Sequence, residues 1–157
     1  MDQPRRTYLV TAVDEESAVV RDVDSGGVHT VVDHPDLEQG EVVEGTLEEA
    51  ADHGLTWTLA TVGDRWTPRV TVTDLEPTRR TREAVEDRPA GTLERLERAG
   101  EGTVHAISVD PGSATGGARE VAEDEATRER AARLGAVTVE IRYDDDAGVL
   151  AVRYLPD

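Results

Sequence analysis

Short runs in which apolar and polar residues alternate fill the N-terminal half of the chain, and acidic or glycine-containing turns separate them. Runs of this kind that are rich in Val and Thr are typical of half-buried β-strands. We therefore predict strands at residues 7–13, 17–23, 28–32, 41–47, 55–62 and 66–73, with a short helical turn at 34–40. This series predicts a small closed barrel, of which the OB-fold is the best-known example.

The pattern changes after Pro77, where helical segments alternate with strands. Thr78 is a suitable N-cap for a short helix over 79–87, and the composition of residues 119–134 is strongly helical. Residues 92–98 fit either a helix or a strand, and the Gly-rich turn that follows them favours the strand of a hairpin. Further strands are predicted at 103–109, 138–143 and 149–154.

Together these patterns predict an α+β protein with two parts. Residues 1–75 form a small OB-like, all-β barrel domain, and residues 76–157 form a small α+β domain. A chain of 157 residues is long enough to bury a hydrophobic core. The sequence leaves open whether the two parts pack as one domain.

Charge indicates the solvent in which the protein works. The chain has 34 acidic residues and 17 basic residues, all of them Arg, and its net charge is −17. Repulsion at this charge density destabilises a compact state, but molar salt shortens the screening length to about 3 Å and removes most of the penalty. We therefore expect a cytoplasm with a high concentration of K⁺ as the solvent ion.

Two other features of the composition limit where the protein works. The sequence has no Cys, which excludes disulfides, a thiolate nucleophile and cysteine-held metal sites. No run approaches the ~18 apolar residues of a membrane span, and the first residues lack the apolar core of a signal peptide. We expect a cytoplasmic protein with no membrane partner.

Three stretches carry a resemblance to a known family: YLVTAVDEESAVVRDV at 8–23, EATRERAARLG at 125–135 and VRYLP at 152–156. They resemble a family of short, uncharacterised haloarchaeal proteins, and the similarity extends over nearly the whole chain. The resemblance implies a salt-rich cytoplasm. It assigns no catalytic or binding residue, because the family has no assigned activity.

A Gly-rich segment after the strand at 103–109 is a candidate anion-binding site. Gly112 and Gly117 have the spacing of a phosphate-binding loop, but Ala118 and Arg119 stand where such a loop has Lys and Ser or Thr. This excludes the nucleotide-hydrolysing version of the loop. Backbone amides at a helix start still bind a generic anion, so we predict a site formed by Gly112, Gly116, Gly117 and Arg119.

The His and Ser residues do not form recognisable catalytic or metal-binding motifs. His29 and His34 flank Asp33 and lie near Asp36, but they lack the helical spacing and second ligand cluster of a zinc site. No Ser lies in a Gly-x-Ser-x-Gly elbow. We therefore assign no catalytic residue, no metal ligand and no cofactor.

Arg and aromatic residues suggest nucleic-acid binding as an alternative function. Small barrels of this kind bind single strands through exposed aromatic rings and a basic groove. Alternation turns Trp57 and Trp66 towards the core, which leaves no clear stacking platform. The candidate contacts are Arg65, Arg69, Arg79, Arg80 and Arg82.

We therefore expect a non-catalytic binding or adaptor module whose partner is a protein. One alternative is the binding of RNA or single-stranded DNA through the barrel and the segment 79–88. Another is an enzyme that acts on a phosphorylated small molecule at the loop 112–119.

Overall fold

The computed structural model describes residues 5–50, 54–97 and 102–156. Within these residues lie ten strands and three short helices. Their bounds are β1 Arg6–Val13, β2 Ser17–Asp22, β3 Val28–Val32, β4 Val42–Glu49, β5 Trp57–Trp66, β6 Arg69–Val72, α1 Arg79–Val85, β7 Leu93–Glu97, β8 Thr103–Ser108, α2 Ala114–Glu123, α3 Glu125–Leu134, β9 Thr138–Asp144 and β10 Val149–Leu155. None of the described helices, which have 7 to 10 residues, is long and apolar enough to cross a membrane.

The described residues form two compact units. The first contains the chain up to Pro68 together with Arg128–Arg133 of α3, and the second contains Arg69–Thr127 and the chain from Leu134 onward. Strands β1 to β5 belong to the first unit, and strands β6 to β10 belong to the second.

The first unit is a closed barrel with the strand order β1-β2-β3-β5-β4. Neighbouring strands are antiparallel, except that β3 and β5 run parallel and are joined by one described residue pair, Val31 with Trp57. The ladder of β4 and β5 shifts register near Gly45, where a Cβ atom would collide with the carbonyl of Thr61. Glycine is therefore required at this close approach of two strands.

The barrel has a buried interior that follows from the alternation of its strands. Side chains at every second position point inward, and they meet as one cluster. The interior cluster consists of Tyr8, Val10, Ala18, Val20, Val31, Leu37, Val43 and Leu47, with Trp57 and Leu59 packed against it.

A second buried cluster covers the outer face of the barrel. Leu9 and Val42, which alternate with interior residues, pack with Trp66 and with Ala132 of α3. Arg21 Nη1 lies 3.1 Å from Glu129 Oε2 of the same helix. These contacts explain why a short part of α3 belongs to the barrel unit.

The second unit is a five-stranded sheet with the order β6-β9-β10-β8-β7. The pair β6–β9 is parallel and the other pairs are antiparallel. Helix α1 packs on the sheet through Val85, which is buried with Ala106 and Val149. Helix α2 contacts β6, β9 and β10, and Gly117 lies so close to Leu150 that a Cβ would be 3.1 Å from its Cδ1.

The α+β class and the small closed barrel agree with the sequence prediction, as does the strand at 93–97. The predicted strand over 66–73 is wrong, because the chain leaves β5 at Trp66 and enters a different sheet as β6. Pro68 lies at this break, and proline interrupts a ladder because it has no N–H to donate. Residues 34–40 form turns rather than the predicted helical turn.

The single long helix predicted over 119–134 is also wrong. The structure has two helices, α2 and α3, which meet at Asp124. Asp124 ends α2 with extended backbone, and its carboxylate accepts a hydrogen bond from the amide of Ala126 at 3.0 Å. The helix α2 also starts earlier than predicted, at Ala114, so that Gly116 and Gly117 lie inside it.

Candidate functional site

A cavity of about 250 Å³ opens at one end of the barrel. The start of β1, the end of β2, the start of β3, the end of β4 and the start of β5 all meet there, because neighbouring barrel strands place these ends together. We call it the barrel-end cavity. Its lining residues are Arg6, Tyr8, Asp22, Ser25, His29, Leu47 and Trp57.

Three rings line the barrel-end cavity in edge-to-face contact. The centroid of the His29 ring lies 6.2 Å from that of Tyr8 and 5.1 Å from that of Trp57, with interplanar angles of 81° and 85°. His29 stands two residues before the buried Val31, so both face the barrel interior. This T-shaped arrangement is the one that aromatic quadrupoles favour.

Two polar groups in the cavity wall lack hydrogen-bond partners. Nδ1 of His29 is buried and has no partner among the described residues. The Tyr8 hydroxyl also has no hydrogen-bond partner among them, but it is not one of the buried unpaired atoms. Burial raises the pKa of Tyr8, the charge of Asp22 raises it further and Arg6 lowers it, so the phenol oxygen lies near both of these side chains.

An ion pair forms the polar rim of the cavity. Nη1 of Arg6 lies 3.1 Å from Oδ2 of Asp22, and the two side chains are 45% and 4% exposed. Oδ1 of Asp22 accepts hydrogen bonds from the amides of Asp24 and Ser25 at 2.9 Å and 3.2 Å. Burial disfavours the charged form of Asp22, but these amides and Arg6 together hold its pKa below its usual value. Asp22 therefore stays charged and orients Arg6.

Arg65, the first predicted nucleic-acid contact, makes four hydrogen bonds within the barrel unit. It makes a bidentate pair with Glu41, with Nε to Oε2 at 2.8 Å and Nη2 to Oε1 at 3.1 Å. It also donates to the carbonyls of Pro35 and Asp36 at 2.9 Å and 3.2 Å. Burial raises the pKa of Glu41, but the hydrogen bonds from Arg65, the amide of Glu38 and the charge of Arg65 together hold the pKa below its usual value.

The other predicted nucleic-acid contacts lie in the second unit. Arg79 pairs with Glu83 at 2.9 Å, and Arg80 donates to the carbonyl of Glu97 at 2.6 Å. Arg82 pairs with two carboxylates, those of Glu76 at 2.9 Å and Asp144 at 2.8 Å. Arg69, on the edge strand β6, is exposed, and its side chain has no partner among the described residues.

Arg79 and Arg82 also line a second cavity, a groove of about 590 Å³ beside α1. Apolar residues, including Val85 and Val149, line part of it. Three Arg side chains face four carboxylates in this groove, and two of the Arg already have internal partners. The groove therefore does not provide the positive potential that a phosphate backbone requires. Its charged lining residues are Arg79, Arg82, Arg88, Glu83, Glu86, Asp87 and Asp110.

The predicted anion site at the start of α2 is occupied by a carboxylate of the protein. Oδ1 of Asp145 accepts a hydrogen bond from the amide of Thr115 at 2.9 Å, and Oδ2 accepts one from its hydroxyl at 2.5 Å. These hydrogen bonds lower the pKa of Asp145. Gly112 precedes the helix with a φ of 88°, and Gly116, Gly117 and Arg119 lie within it.

The His and Asp residues near the β3–β4 connection are also used within the fold. Nε2 of His34 lies 3.2 Å from the carbonyl of Asp14, and its Nδ1 accepts from the amide of Leu37 at 3.1 Å. Within residues 5–50, 54–97 and 102–156 no group of three His, Asp or Glu side chains has the geometry to hold a metal ion.

Sequence reasoning identified the residue types of the barrel-end cavity but not their assembly. The sequence pattern offers His29 only as a metal ligand, next to Asp33. The alternation of His29 with Val31 was the available signal that the imidazole points inward. The position of Arg6 and Asp22 at the same rim depends on the pairing of β1 with β2, which local sequence does not specify.

Comparisons with known proteins give one match. The model of a family of unknown function (DUF5812) matches residues 5–143, which is most of the chain. No curated protein and no solved structure matches.

Proposed function

The chain belongs to the DUF5812 family, whose function is unknown, and we propose that it is a non-catalytic binding module whose ligand enters the barrel-end cavity. The observation that supports this most is the unpartnered Nδ1 of His29. A buried polar atom without a hydrogen bond costs about 1–3 kcal/mol, so buried polar groups in folded proteins are almost always paired. A ligand in the cavity that offers a hydrogen bond to the imidazole removes this cost.

We further propose that the barrel is OB-like. Five strands that close with one weak seam fit the partly open, five-stranded barrel of that fold. The seam lies between β3 and β5, where one described residue pair joins the strands. It adjoins the cavity, because Trp57 is both a partner in this pair and a lining residue.

The arrangement of polar groups supports binding rather than catalysis. Nucleophilic catalysis needs a nucleophile hydrogen-bonded to a base that a third group orients. The hydroxyl of Ser25 accepts from the amide of Gly27 at 3.2 Å, and no described hydroxyl is bonded to His29. Asp22 is held by Arg6 and two amides rather than by the imidazole. We therefore assign no catalytic residue.

The proposed setting is a cytoplasm with molar K⁺. The net charge of −17 supports this proposal. In such a solvent the charge repulsion of 34 carboxylates is screened over about 3 Å. In the adaptor form of the proposal, the ligand is a side chain of a partner protein.

The two Trp residues allow a direct test. Trp57 lines the cavity, whereas Trp66 belongs to the outer cluster. In W66F the fluorescence reports on the cavity alone, and in W57F it reports on a matched position outside it. We expect compounds from a fragment library, screened in 3 M KCl, to shift the emission of W66F saturably and to leave W57F unchanged. If no compound changes the emission of W66F, or if W57F responds equally, the proposal is wrong.

A further inference from the structure

We infer that the barrel-end cavity, if it is the binding site proposed above, takes a single unstacked nucleobase whose phosphate contacts Arg6. The base belongs either to a free nucleotide or to a single strand. The inference rests on the size of the cavity, its rings, its unpaired polar groups and the charge at its rim.

Size limits the ligand to one ring system. The cavity measures about 250 Å³, which is below the ~300–1,000 Å³ of pockets that enclose whole drug-sized ligands. Only part of a larger molecule fits, and the rest extends to the solvent past Arg6 and Ser25. A base attached to a sugar and a phosphate has this form.

The rings of the wall favour a flat aromatic group. His29 and Trp57 are half-buried and each presents part of its ring to the cavity, while Tyr8 forms its floor in the barrel interior. Base–aromatic stacking contributes about 1–3 kcal/mol per base and accepts any base, because every base has a π-face.

The unpaired polar groups favour a nucleobase over an aromatic amino-acid side chain as the ligand. Nδ1 of His29 and the hydroxyl of Tyr8 both lack partners among the described residues. The side chains of Phe, Tyr and Trp offer no polar atom or only one. The edge of a base carries adjacent donors and acceptors, so one base can satisfy both groups.

The positive charge of Arg6 at the rim of the cavity provides a contact for the phosphate. Arg6 uses Nη1 for Asp22, and no other described residue accepts a hydrogen bond from its guanidinium. At molar salt the screening length of about 3 Å removes the repulsion of distant carboxylates and leaves contact pairs. The net charge of −17 therefore does not exclude a phosphate that touches Arg6 directly.

The experiment titrates W66F in 3 M KCl with six kinds of probe and follows the Trp57 emission, or the Trp57 indole N–H signal in the NMR spectrum for indole and p-cresol, which fluoresce themselves. The probes are the 5′-mononucleotides, the matching nucleosides, a single-stranded decanucleotide, its duplex, ribose 5-phosphate, and indole with p-cresol as side-chain analogues. The indole N–H signal of Trp57 in the NMR spectrum of the unmodified chain gives the same readout without a substitution. We expect mononucleotides or the single strand to bind saturably, and ribose 5-phosphate and the duplex not to bind.

Three variants assign the contacts. H29F keeps a ring and removes both nitrogens, and we expect it to weaken base binding about three- to tenfold, as the loss of one neutral hydrogen bond does. Y8F removes only the hydroxyl. If H29F does not fold, Y8F still tests the hydrogen bonds to the edge of the bound base. We expect R6Q to weaken the binding of nucleotides about two- to fivefold, because it removes an exposed ion pair, and to leave the binding of nucleosides unchanged. R69Q is the matched control, because the Arg69 side chain is exposed and has no described partner. We expect it to change the binding of neither nucleotides nor nucleosides.

Each outcome decides the inference. If mononucleotides bind, a free nucleotide is sufficient as the ligand. If only the single strand binds, the base that enters the cavity belongs to a nucleic acid. If indole or p-cresol binds at the cavity and no base does, the inference is wrong and the proposed binding function stands. If none of the six kinds of probe and no compound of the fragment library changes the Trp57 signal, the nucleobase inference and the proposed binding function are both wrong.

Discussion

Replacing Arg65 tests whether the guanidinium stabilises the barrel or serves a ligand. The side chain joins β5 to the connection before β4 through four hydrogen bonds, two to Glu41 and two to the carbonyls of Pro35 and Asp36. The carboxylate of Glu41 is only 11% exposed, and the Arg65 side chain is 31% exposed. In R65A the carboxylate of Glu41 loses its charged partner and keeps one described hydrogen bond, from the amide of Glu38 at 3.1 Å, while it remains largely desolvated.

The expected loss follows from these exposures. Breaking a fully buried pair costs about 3–5 kcal/mol, and an exposed pair contributes about 0–1 kcal/mol. The pair between Arg65 and Glu41 lies between these limits and nearer the buried one, so we expect the free energy of unfolding to fall by about 2–3 kcal/mol. With a urea slope of about 2 kcal/mol per molar, the midpoint falls by about 1–1.5 M.

The assay is urea unfolding in 3 M KCl, followed by far-UV circular dichroism. R69A is the matched control, because its side chain is exposed and has no partner among the described residues; we expect a change within about 0.5 kcal/mol. R65M, which retains most of the aliphatic stem, separates lost charge from lost packing. Equal midpoints for R65A and R69A would refute the structural role of Arg65.

Three further predictions concern the solvent and the charged groups. D145A deprives the amide and hydroxyl of Thr115 of their acceptor and lowers the midpoint of a thermal melt, whereas D146A, in the same turn but exposed, leaves the midpoint unchanged; equal melts contradict the assignment. Lowering KCl from 3 M to 0.1 M unfolds or loosens the chain, and an unchanged circular-dichroism spectrum contradicts the salt-rich setting. The pKa values of Asp22 and Glu41 lie below the unfolded values of 3.8 and 4.5, so their stabilisation is complete above about pH 4.5 and is lost as the pH falls through the folded values. The urea midpoint of the wild type therefore falls in this window and that of D22N falls less; a midpoint that is constant from pH 5 to pH 3 overturns this prediction.

Local alternation predicts strands β1 to β4, but it ends the fifth strand at residue 62, whereas β5 continues to Trp66. Tyr8 and Val10 share the interior face, as their spacing requires, and Leu9 faces the outer cluster. The same alternation continues across Pro68, so the sequence extends one strand where the structure has two. Which sheet β6 joins depends on its pairing with β9, about 70 residues later in the chain, and such long-range pairing leaves no local signal.

Helix propensity failed in two places for similar reasons. Ala, Arg and Glu favour a helix on both sides of Asp124, so only the cap formed by its carboxylate marks the break. Gly116 and Gly117 disfavour a helix, yet α2 continues through both, and Leu150 lies so close that it leaves little room for a Cβ at position 117. Tertiary packing outweighs an unfavourable propensity of about 1 kcal/mol per Gly.

The candidate site was only partly predictable because it depends on partners rather than on residue types. Arg65 and Arg82 count as positive charge in the sequence, yet the fold assigns both to carboxylates. The imidazole of His29 was visible as a residue type. The absence of a described partner for its Nδ1 follows from the assembly of three strands, which a single run of sequence does not encode.

The seam between β3 and β5 has a consequence for motion. One pair, Val31 with Trp57, joins these strands in the described residues, whereas the remaining neighbours in the barrel share long ladders. Local opening begins where the fewest backbone hydrogen bonds must break. The barrel is therefore expected to open locally at the seam while the other four ladders stay intact. The amide hydrogens of Val31 and Trp57 should then exchange with solvent before those of Val20 or Val43. Because Trp57 is also a wall of the cavity, each such opening widens the route by which a ligand enters and leaves.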